Sequence, residues 1–322
     1  MTRRHIPQDV LDAAHARSAA RAARDWPEAD RLRDEIEAAG WTIVDRGTDF
    51  ALAPAATPDV VEGERIRYGS SASVPARWDE PTVGPATIVL VATDWPDPLA
   101  RTLDAVRASS PVGTSIVIVA DGPSDEQGST LARLPAALDL EVVWTLERLG
   151  IAAAVNIGIR RAVGAVVVLV EGEVELTGDV VTPLVAALDD VSVAIVGAWG
   201  TTSTDLRRFG AAPPGDVDAL DIGLSAFRRA DAAERGPLDE RFRSAAQLAT
   251  WWSLVLRDEG EEIAPRRAVA VVGLPAVRPG AARPGSDPSE ADPGPAPSRA
   301  DRRDRYRIID RFGWRRDLLI GG

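Results

Sequence analysis

The chain has 322 residues, a formal net charge of −12 and no cysteine, so it can have no thiol nucleophile, disulfide or cysteine-based metal site. Its two histidines are His5 and His15, and all 37 basic residues are arginines. A Ser-His-Asp triad, an HExxH zinc site and a lysine Schiff base are therefore excluded beyond residue 15. Carboxylates, hydroxyls and backbone groups remain to act as bases or to bind a hard cation such as Mg²⁺ or Mn²⁺.

The first 52 residues predict a small helix-helix-hairpin module. Residues 8–39 read as two helices, and Pro27 is compatible with the first turn of the second helix. Gly40 provides a stop signal after the apolar stripe of that helix. The apolar runs at 41–44 and 50–52 then predict a strand and its return strand.

A larger domain is predicted from residue 86 to residue 278, after a linker at 53–85 that is rich in Pro, Gly, Ser and Ala. In this domain short β-branched runs alternate with helical stretches. The runs lie at 87–91, 115–119, 140–144, 165–170 and 191–197. Strands that are apolar on both faces and separated by helices predict an α/β fold with a mainly parallel sheet flanked by helices.

The end of the chain predicts a disordered, Pro-rich tether at 279–300, because this composition cannot bury enough apolar surface. Residues 301–322 then predict an amphipathic helix that docks back onto the fold. No stretch has the roughly 18 apolar residues of a membrane span, and the first ten residues lack the apolar run of a signal peptide. We therefore expect no membrane span and a cytoplasmic location.

Acidic residues follow three of the predicted strands. Asp94 follows the first strand, Asp121 the second, and Glu171 and Glu173 the fourth. Because ligands bind at the carboxyl ends of strands in such sheets, we expect these side chains at one edge. Glu171 and Glu173 can both reach one divalent cation if the backbone turns at Gly172, and that cation would bridge a diphosphate.

The order of motifs from Thr87 to Gly260 resembles family 2 glycosyltransferases, inverting enzymes that have the GT-A fold and use nucleotide sugars. The resemblance spans about residues 86–275. It is carried by the Asp121-Gly122-x-Ser124 turn, the run from Gly150 to Gly164 with Asn156, the segment from Val170 to Leu176, Phe227-Arg228-Arg229, and Gly236-Pro237-Leu238-Asp239-Glu240-Arg241-Phe242.

The resemblance implies a donor site and a cation site. Glu171 and Glu173 occupy the two acidic positions of the family's DxD metal motif, each one methylene longer than the usual Asp, so the resemblance implies Mn²⁺ or Mg²⁺ as cofactor. The nucleotide sugar would be contacted by Thr93, Asp94, Asp121, Gly122 and Asn156.

The catalytic base that the resemblance implies is missing. Counted back from Leu256-Arg257-Asp258-Glu259-Gly260, the expected Glu-Asp pair falls at Leu248-Ala249. Alanine cannot take the proton of an acceptor hydroxyl. Asp239 and Glu240 are the nearest acids in sequence, and in the family they belong to the motif itself.

The segment from Ala22 to Trp41 resembles the small C-terminal module of cysteinyl-tRNA synthetases, which helps to recognise tRNA. Three hypotheses therefore stand. The first is a transferase of hexosyltransferase type that moves a sugar from a nucleotide-sugar donor to an unknown acceptor with inversion. The second is a GT-A scaffold or nucleotide-sugar binder without turnover. The third is an RNA-associated adaptor, although a pI near 4.8 argues against general affinity for nucleic acid.

Overall fold

The computed structural model describes residues 6–46, 49–55, 57–92, 96–134, 139–171, 174–221, 223–277 and 298–320. The chain divides into two compact units, Met1–Pro58 and Asp59–Gly322. Each unit has its own hydrophobic core and is described by itself.

The first unit is the predicted helix-helix-hairpin module. It consists of α1 (Gln8–Ala22), α2 (Trp26–Ala38), β1 (Trp41–Arg46) and β2 (Asp49–Pro54). The two strands pair antiparallel, from Trp41 opposite Pro54 to Arg46 opposite Asp49. The core is formed by Val10, Ala14, Ile36, Trp41 and Ile43.

An ion pair between the buried Arg17 and the exposed Asp45 joins the first helix of this unit to its hairpin. Nη1 of Arg17 lies 2.7 Å from Oδ1 of Asp45, and Nη1 of Arg21 lies 3.1 Å from Oδ2 of the same carboxylate. The hydrogen bond from Arg17 lowers the pKa of Asp45. The side chains of Arg17 and Arg21 are therefore bound within the unit.

The second unit is built on a ten-stranded sheet with smaller sheets beside it. Its strands are β3 (Val60–Glu62), β4 (Arg65–Tyr68), β5 (Ala86–Ala92), β6 (Ser115–Ala120), β7 (Leu140–Thr145), β8 (Val166–Val170), β9 (Glu175–Leu176), β10 (Val193–Gly197), β11 (Gly200–Thr202), β12 (Gly210–Ala212), β13 (Gly215–Val217), β14 (Ala219–Leu220), β15 (Leu224–Arg228), β16 (Arg267–Ala270) and β17 (Ala276–Val277).

Helices cover both faces of this sheet. They are α3 (Pro96–Ser109), α4 (Asp125–Ala132), α5 (Ile151–Arg161), α6 (Val181–Ala187), α7 (Arg229–Arg235), α8 (Ala245–Arg257) and α9 (Arg299–Phe312), followed by a 3-10 turn at Arg316–Leu318. No helix in the described part of the chain is long and apolar enough to cross a bilayer.

The main sheet confirms the predicted fold class. Its strand order is β13-β16-β10-β15-β8-β5-β6-β7-β4-β3. Strands β8, β5, β6 and β7 are mutually parallel neighbours, whereas β15 runs antiparallel between β8 and β10. The apolar runs predicted as strands are buried on both faces because α3 and α6 pack on one side and α5 and α8 on the other.

The segment that was expected to be a linker is partly built into the second unit. Strand β4 extends the main sheet, because Arg67 and Tyr68 pair with the end of β7, and β3 pairs with β4. The sequence hid these strands because they are short and carry charged residues at Glu62, Arg65 and Arg67.

The C-terminal helix packs against α8. It begins at Arg299, two residues before the predicted start, because Ser298 and Asp301 form a capping box there. The predicted tether lies outside the described residues as far as residue 297. The guanidinium of Arg311 stacks over the Trp251 ring, and Ile308 and Phe312 are buried in the same core as α8.

Candidate functional site

The parallel strands β5, β6, β7 and β8 end at one edge of the main sheet, which we call the carboxyl rim. Asp121 directly follows β6, and Glu171 directly follows β8. Two strand spacings, roughly 10 Å, separate the ends of these strands. The antiparallel strand β15 begins at the same rim, since Leu224 lies opposite Val170.

Asp121 braces the loop that leads into α5. Its carboxylate accepts N–H bonds from Leu149 at 2.7 Å and from Gly150 at 3.0 Å, and the hydroxyl of Thr145 lies 3.3 Å away. The side chain is only 2% exposed, and burial raises the pKa of Asp121 more than the three donors lower it. Asp121 therefore shapes the rim through this loop, and its predicted contact with a nucleotide stays a prediction.

Gly122 allows two loops of the rim to lie in contact. Its φ is +57°, and a Cβ atom there would lie 2.4 Å from the backbone N of Arg148 and 2.7 Å from the carbonyl carbon of Glu147. Its own N–H donates to the Thr145 hydroxyl at 2.8 Å. Only glycine fits this position without displacing the loop after β7.

Glu171 is the described member of the predicted metal pair. Its N–H donates to the carbonyl of Gly223 at 2.9 Å, so the end of β8 is joined to the start of β15. Thr93, Asp94 and Glu173, which were also predicted site residues, lie outside the described residues. Within the described ranges no group of three His, Cys, Asp or Glu side chains stands ready to hold a metal ion.

Asn156 links α5 to the loop before α8. Its Nδ2 donates to the carbonyl of Leu238 at 3.0 Å and to the Glu240 carboxylate at 2.9 Å, and its Oδ1 accepts from the Leu238 N–H at 2.8 Å. The residue is 3% exposed. All of these partners are internal, so the structure gives Asn156 a role in holding this loop, and its predicted role in donor binding stays a prediction.

The two acids that were considered as substitute bases are both engaged. The Glu240 carboxylate accepts hydrogen bonds from Asn156 and from the hydroxyl of Ser71. Asp239 accepts three side-chain bonds from Arg241, at 2.6, 2.8 and 3.0 Å, and this partner lowers the pKa of Asp239. Both carboxylates are therefore held by partners within the protein.

Ala249, at the expected position of the base, lies in the second turn of α8 and is buried. Its carbonyl accepts the hydroxyl of Ser253 at 2.8 Å, and that hydroxyl oxygen in turn accepts the N–H of Leu220 at 3.0 Å. The helix turn that carries Ala249 is therefore bound to strand β14. Asp221 follows β14 directly, and its N–H donates to the carbonyl of Trp199 at 2.9 Å. Trp199 follows strand β10, whose end pairs with the start of β15 at the rim, so Asp221 also lies at the rim.

Sequence reasoning missed Asp221 and also Asp304. Asp221 is an acid between the short strand β14 and Gly223, and Ser253 is a lone hydroxyl in an apolar helix, which are weak signals. Asp304, on α9, is fully buried, and its Oδ2 accepts the N–H groups of Arg243 at 2.7 Å and Ser244 at 2.8 Å. These groups lie immediately before α8, whose N-cap is Ser244, so α9 holds the entry into the helix that carries Ala249.

Comparison with known proteins gives two separate matches. The model of glycosyl transferase family 2 matches residues 87–220. A stretch of 50 residues near the N-terminus is 46% identical to the cysteine–tRNA ligase of Opitutus terrae, and 47 residues are 54% identical to the ligase of Chlamydia muridarum. These stretches cover 16% and 15% of this chain. The chain spans only 11% and 10% of the two ligases.

Two solved structures are similar to this chain, and the first shares the fold of the second unit. The structure of GalNAc-T7 with UDP, GalNAc and Mn²⁺ superposes with a TM-score of 0.53 at 17% identity, over 71% of this chain and 48% of that one. A mannosyltransferase from Pyrobaculum calidifontis, in complex with GDP-Man and Mn²⁺, has a TM-score of 0.45 at 18% identity, over 63% of this chain and 60% of that one. Residues 87–220 thus match the model of glycosyl transferase family 2, and they lie within a unit that has the GT-A fold.

Proposed function

We propose that the second unit binds a nucleotide sugar along the carboxyl rim and transfers the sugar to an acceptor with inversion, as a transferase of hexosyltransferase type. The observation that carries this proposal is the rim itself. Within the family 2 segment, the ends of parallel strands place Glu171 and the loop braced by Asp121 along one edge. This is the edge at which open α/β sheets bind their ligands.

A divalent cation fits the donor set of this rim. Mg²⁺ and Mn²⁺ prefer oxygen ligands, and Mg²⁺ is usually held by one or two carboxylates together with substrate phosphates. Glu171 would be one protein ligand and Glu173 the second. When bound, the cation would neutralise negative charge on the diphosphate leaving group. The Mn²⁺ in the GalNAc-T7 structure supports this expectation.

The donor site is tested by thermal unfolding with UDP-N-acetylgalactosamine, GDP-mannose and dTDP-glucose, each with and without Mn²⁺. We expect one donor to raise the melting temperature, and to raise it more with Mn²⁺, because a ligand that binds only the folded state stabilises it. Glu171→Gln should reduce the Mn²⁺-dependent part. Glu261→Gln, which removes an exposed carboxylate from the loop after α8, should leave that part unchanged. Absence of a shift with every donor would refute the donor site.

A second candidate function is donor binding without transfer. It is favoured by the buried Ala249 at the expected base position and by the engagement of Asp239 and Glu240. Release of nucleoside diphosphate from a bound donor separates the two functions. Slow hydrolysis by the wild type supports a transferase, whereas tight binding with no release at high protein concentration supports a scaffold.

A role in RNA contact belongs to the first unit alone, and the similarity to cysteine–tRNA ligases favours it. Three arginines lie among the described residues 6–24. Arg17 and Arg21 bind Asp45, and Arg24 has no ion pair within the described part of the chain. A nitrocellulose filter assay with tRNA at rising salt tests it. Phosphate contacts predict retention that falls steeply with salt, and no retention at 50 mM salt would refute the role.

A further inference from the structure

No carboxylate stands at the expected position of the base in α8, but Asp221 directly follows strand β14, which is hydrogen-bonded to that helix. We propose that Asp221 is the general base for sugar transfer, and this inference rests on the proposed transferase function. Three observations support this role. They are the contact between α8 and β14, the strand pairing at the rim, and the hydrogen bonds and burial of the other carboxylates near α8.

The first argument is the place of Asp221 relative to Ala249. The hydroxyl of Ser253 donates to the carbonyl of Ala249 at 2.8 Å and accepts the N–H of Leu220 at 3.0 Å. Leu220 immediately precedes Asp221. The hydroxyl of Ser253 therefore joins the turn of α8 that carries Ala249 to strand β14, which Asp221 directly follows.

The second argument is the rim. The main chain of Asp221 is bound to Trp199, and two residues later the carbonyl of Gly223 accepts the N–H of Glu171 at 2.9 Å. Asp221 therefore belongs to the same edge as the predicted cation ligand, and it is partly exposed.

The other acids that lie close to α8 are engaged by partners or are buried. Asp239 is bound by Arg241, and Glu240 is bound by Asn156 and Ser71. Asp304 contacts the start of α8 but is 0% exposed, so it cannot touch an acceptor. Asp221 is partly exposed, and it directly follows β14 near the start of β15 at the rim.

The carboxylate of Asp221 is also oriented by its own turn. The N–H of Gly223 donates to Oδ1 of Asp221 at 2.7 Å. A proton acceptor held in one direction loses little entropy on reaching the reactive geometry. An asparagine here keeps the oxygen that Gly223 needs, so Asp221→Asn removes the basic group without removing this hydrogen bond.

In the proposed step the acceptor oxygen forms a bond to the anomeric carbon of the donor. The bond from that carbon to the diphosphate oxygen breaks on the opposite face, and its electron pair leaves with the nucleoside diphosphate. The hydroxyl proton of the acceptor passes to the Asp221 carboxylate. No oxidant or further reactant is needed, and configuration at the anomeric carbon is inverted.

The experiment compares the wild type with Asp221→Asn and the matched variant Asp205→Asn. Asp205 is a suitable control because its Oδ1 likewise accepts the N–H of the second residue along, Arg207, at 2.8 Å. UDP-N-acetylgalactosamine, GDP-mannose and dTDP-glucose are each supplied with Mn²⁺. Donor binding is read from the thermal shift, and turnover is read as nucleoside diphosphate released with water as acceptor.

We expect Asp221→Asn to keep the thermal shift and to lose about 10²- to 10⁴-fold in release rate, the range for a general base. Sodium azide, a nucleophile that has no proton to lose, should restore release in Asp221→Asn and yield a glycosyl azide of inverted configuration. A purely structural role of Asp221 would not be rescued by azide. Asp205→Asn should match the wild type in both measurements.

The possible failures are distinguishable. Release by Asp221→Asn within threefold of the wild type would overturn the assignment of Asp221 and leave the transferase function intact. A wild type that binds a donor and never releases nucleoside diphosphate would overturn the transferase function, and the base with it. Lost release with no azide rescue would also overturn the assignment.

Discussion

The amide of Asn156 donates a 2.9 Å hydrogen bond to the carboxylate of Glu240, which joins α5 to the loop that leads into α8. The same side chain makes both a donor and an acceptor contact with the main chain of Leu238. One buried side chain thus satisfies two backbone groups and one carboxylate oxygen. The loop around Pro237 is held from inside the protein, and α8 starts from a fixed position.

Replacement of Asn156 by alanine should lower the free energy of unfolding of the second unit by about 2–4 kcal/mol, because two buried backbone groups and one carboxylate lose their partner. Urea unfolding followed by tryptophan fluorescence measures this. Arg241→Ala breaks an ion pair of the same loop whose arginine is exposed, and it should cost less than about 1 kcal/mol. Equal costs for the two variants would contradict the structural role of Asn156.

The loop contact at Gly122 predicts a second stability effect. Gly122→Ala places a Cβ 2.4 Å from the backbone of Arg148 at a φ of +57°, so the loop after β7 must move. We expect a loss of about 2 kcal/mol or more in the free energy of unfolding, from strain and lost packing. Donor-induced thermal shifts should weaken as well.

Gly210→Ala is the control for this variant, because no atom lies within 4 Å of its added Cβ and its φ is not positive. We expect its unfolding free energy to stay within about 0.5 kcal/mol of the wild type. If Gly122→Ala were equally harmless, the loop after β7 would not depend on the close approach that the structure shows.

Burial of Asp121 predicts a pH dependence of stability. Because burial raises the pKa of Asp121 in the folded protein above the ordinary 3.8, the folded state binds this proton more tightly than the unfolded state. The contribution of Asp121 to stability therefore increases as the pH falls from its folded-state pKa toward 3.8, and decreases as the pH rises through that window.

Asp121→Asn provides the comparison because an asparagine cannot titrate. The stability of the wild type minus that of Asp121→Asn should grow as the pH is lowered toward 4, as measured by urea unfolding at a series of pH values. A constant difference across this range would contradict the raised pKa. At neutral pH the variant also loses an acceptor for the Gly150 N–H, so part of its cost is independent of pH.

The contact between α9 and the start of α8 predicts that Asp304→Ala is strongly destabilising. Two backbone N–H groups lose a fully buried acceptor, and Arg307 loses an ion-pair partner 3.5 Å away. We expect a cost of about 2–4 kcal/mol, since two hydrogen bonds to a fully buried carboxylate are lost. Asp310→Ala, on the exposed face of the same helix, should cost less than about 0.5 kcal/mol.

Hydrogen exchange separates the two possible causes of a loss in Asp304→Ala. We expect faster exchange confined to residues 243–247, which would indicate loss of the hydrogen bonds between Asp304 and the residues at the entry into α8. A uniform increase across the main sheet would instead mean that α9 acts only through global stability.

The parts of the fold that could be predicted from the sequence are those with strong periodicity. The runs at β5, β6 and β8 are apolar on both faces, and Leu99, Leu103 and Val106 repeat at helical spacing on α3, so hydrophobic burial alone favours these elements. The short strands β3, β4 and β11–β14 could not be predicted, because pairing with neighbours, rather than local pattern, forms them.

The candidate site was predicted less completely than the fold. The sequence indicated that Asp121 and Asn156 matter, but it could not show that each uses its polar atoms on backbone groups far away in the chain. It also gave no signal for Asp304, an acid in a helix with many charges whose importance depends on which face is buried. Such roles follow from tertiary contacts that spacing does not encode.

The late segment of the chain has a consequence for synthesis. Besides the contact of Asp304 with the start of α8, Arg315 binds Asp258 at 2.5 Å beyond its end, and the N–H of Ile320 donates to buried Asp218 at 2.7 Å. Residues 59–277 therefore leave the ribosome before these contacts can form. The second unit can therefore reach its final stability only after residues 298–320 have been translated.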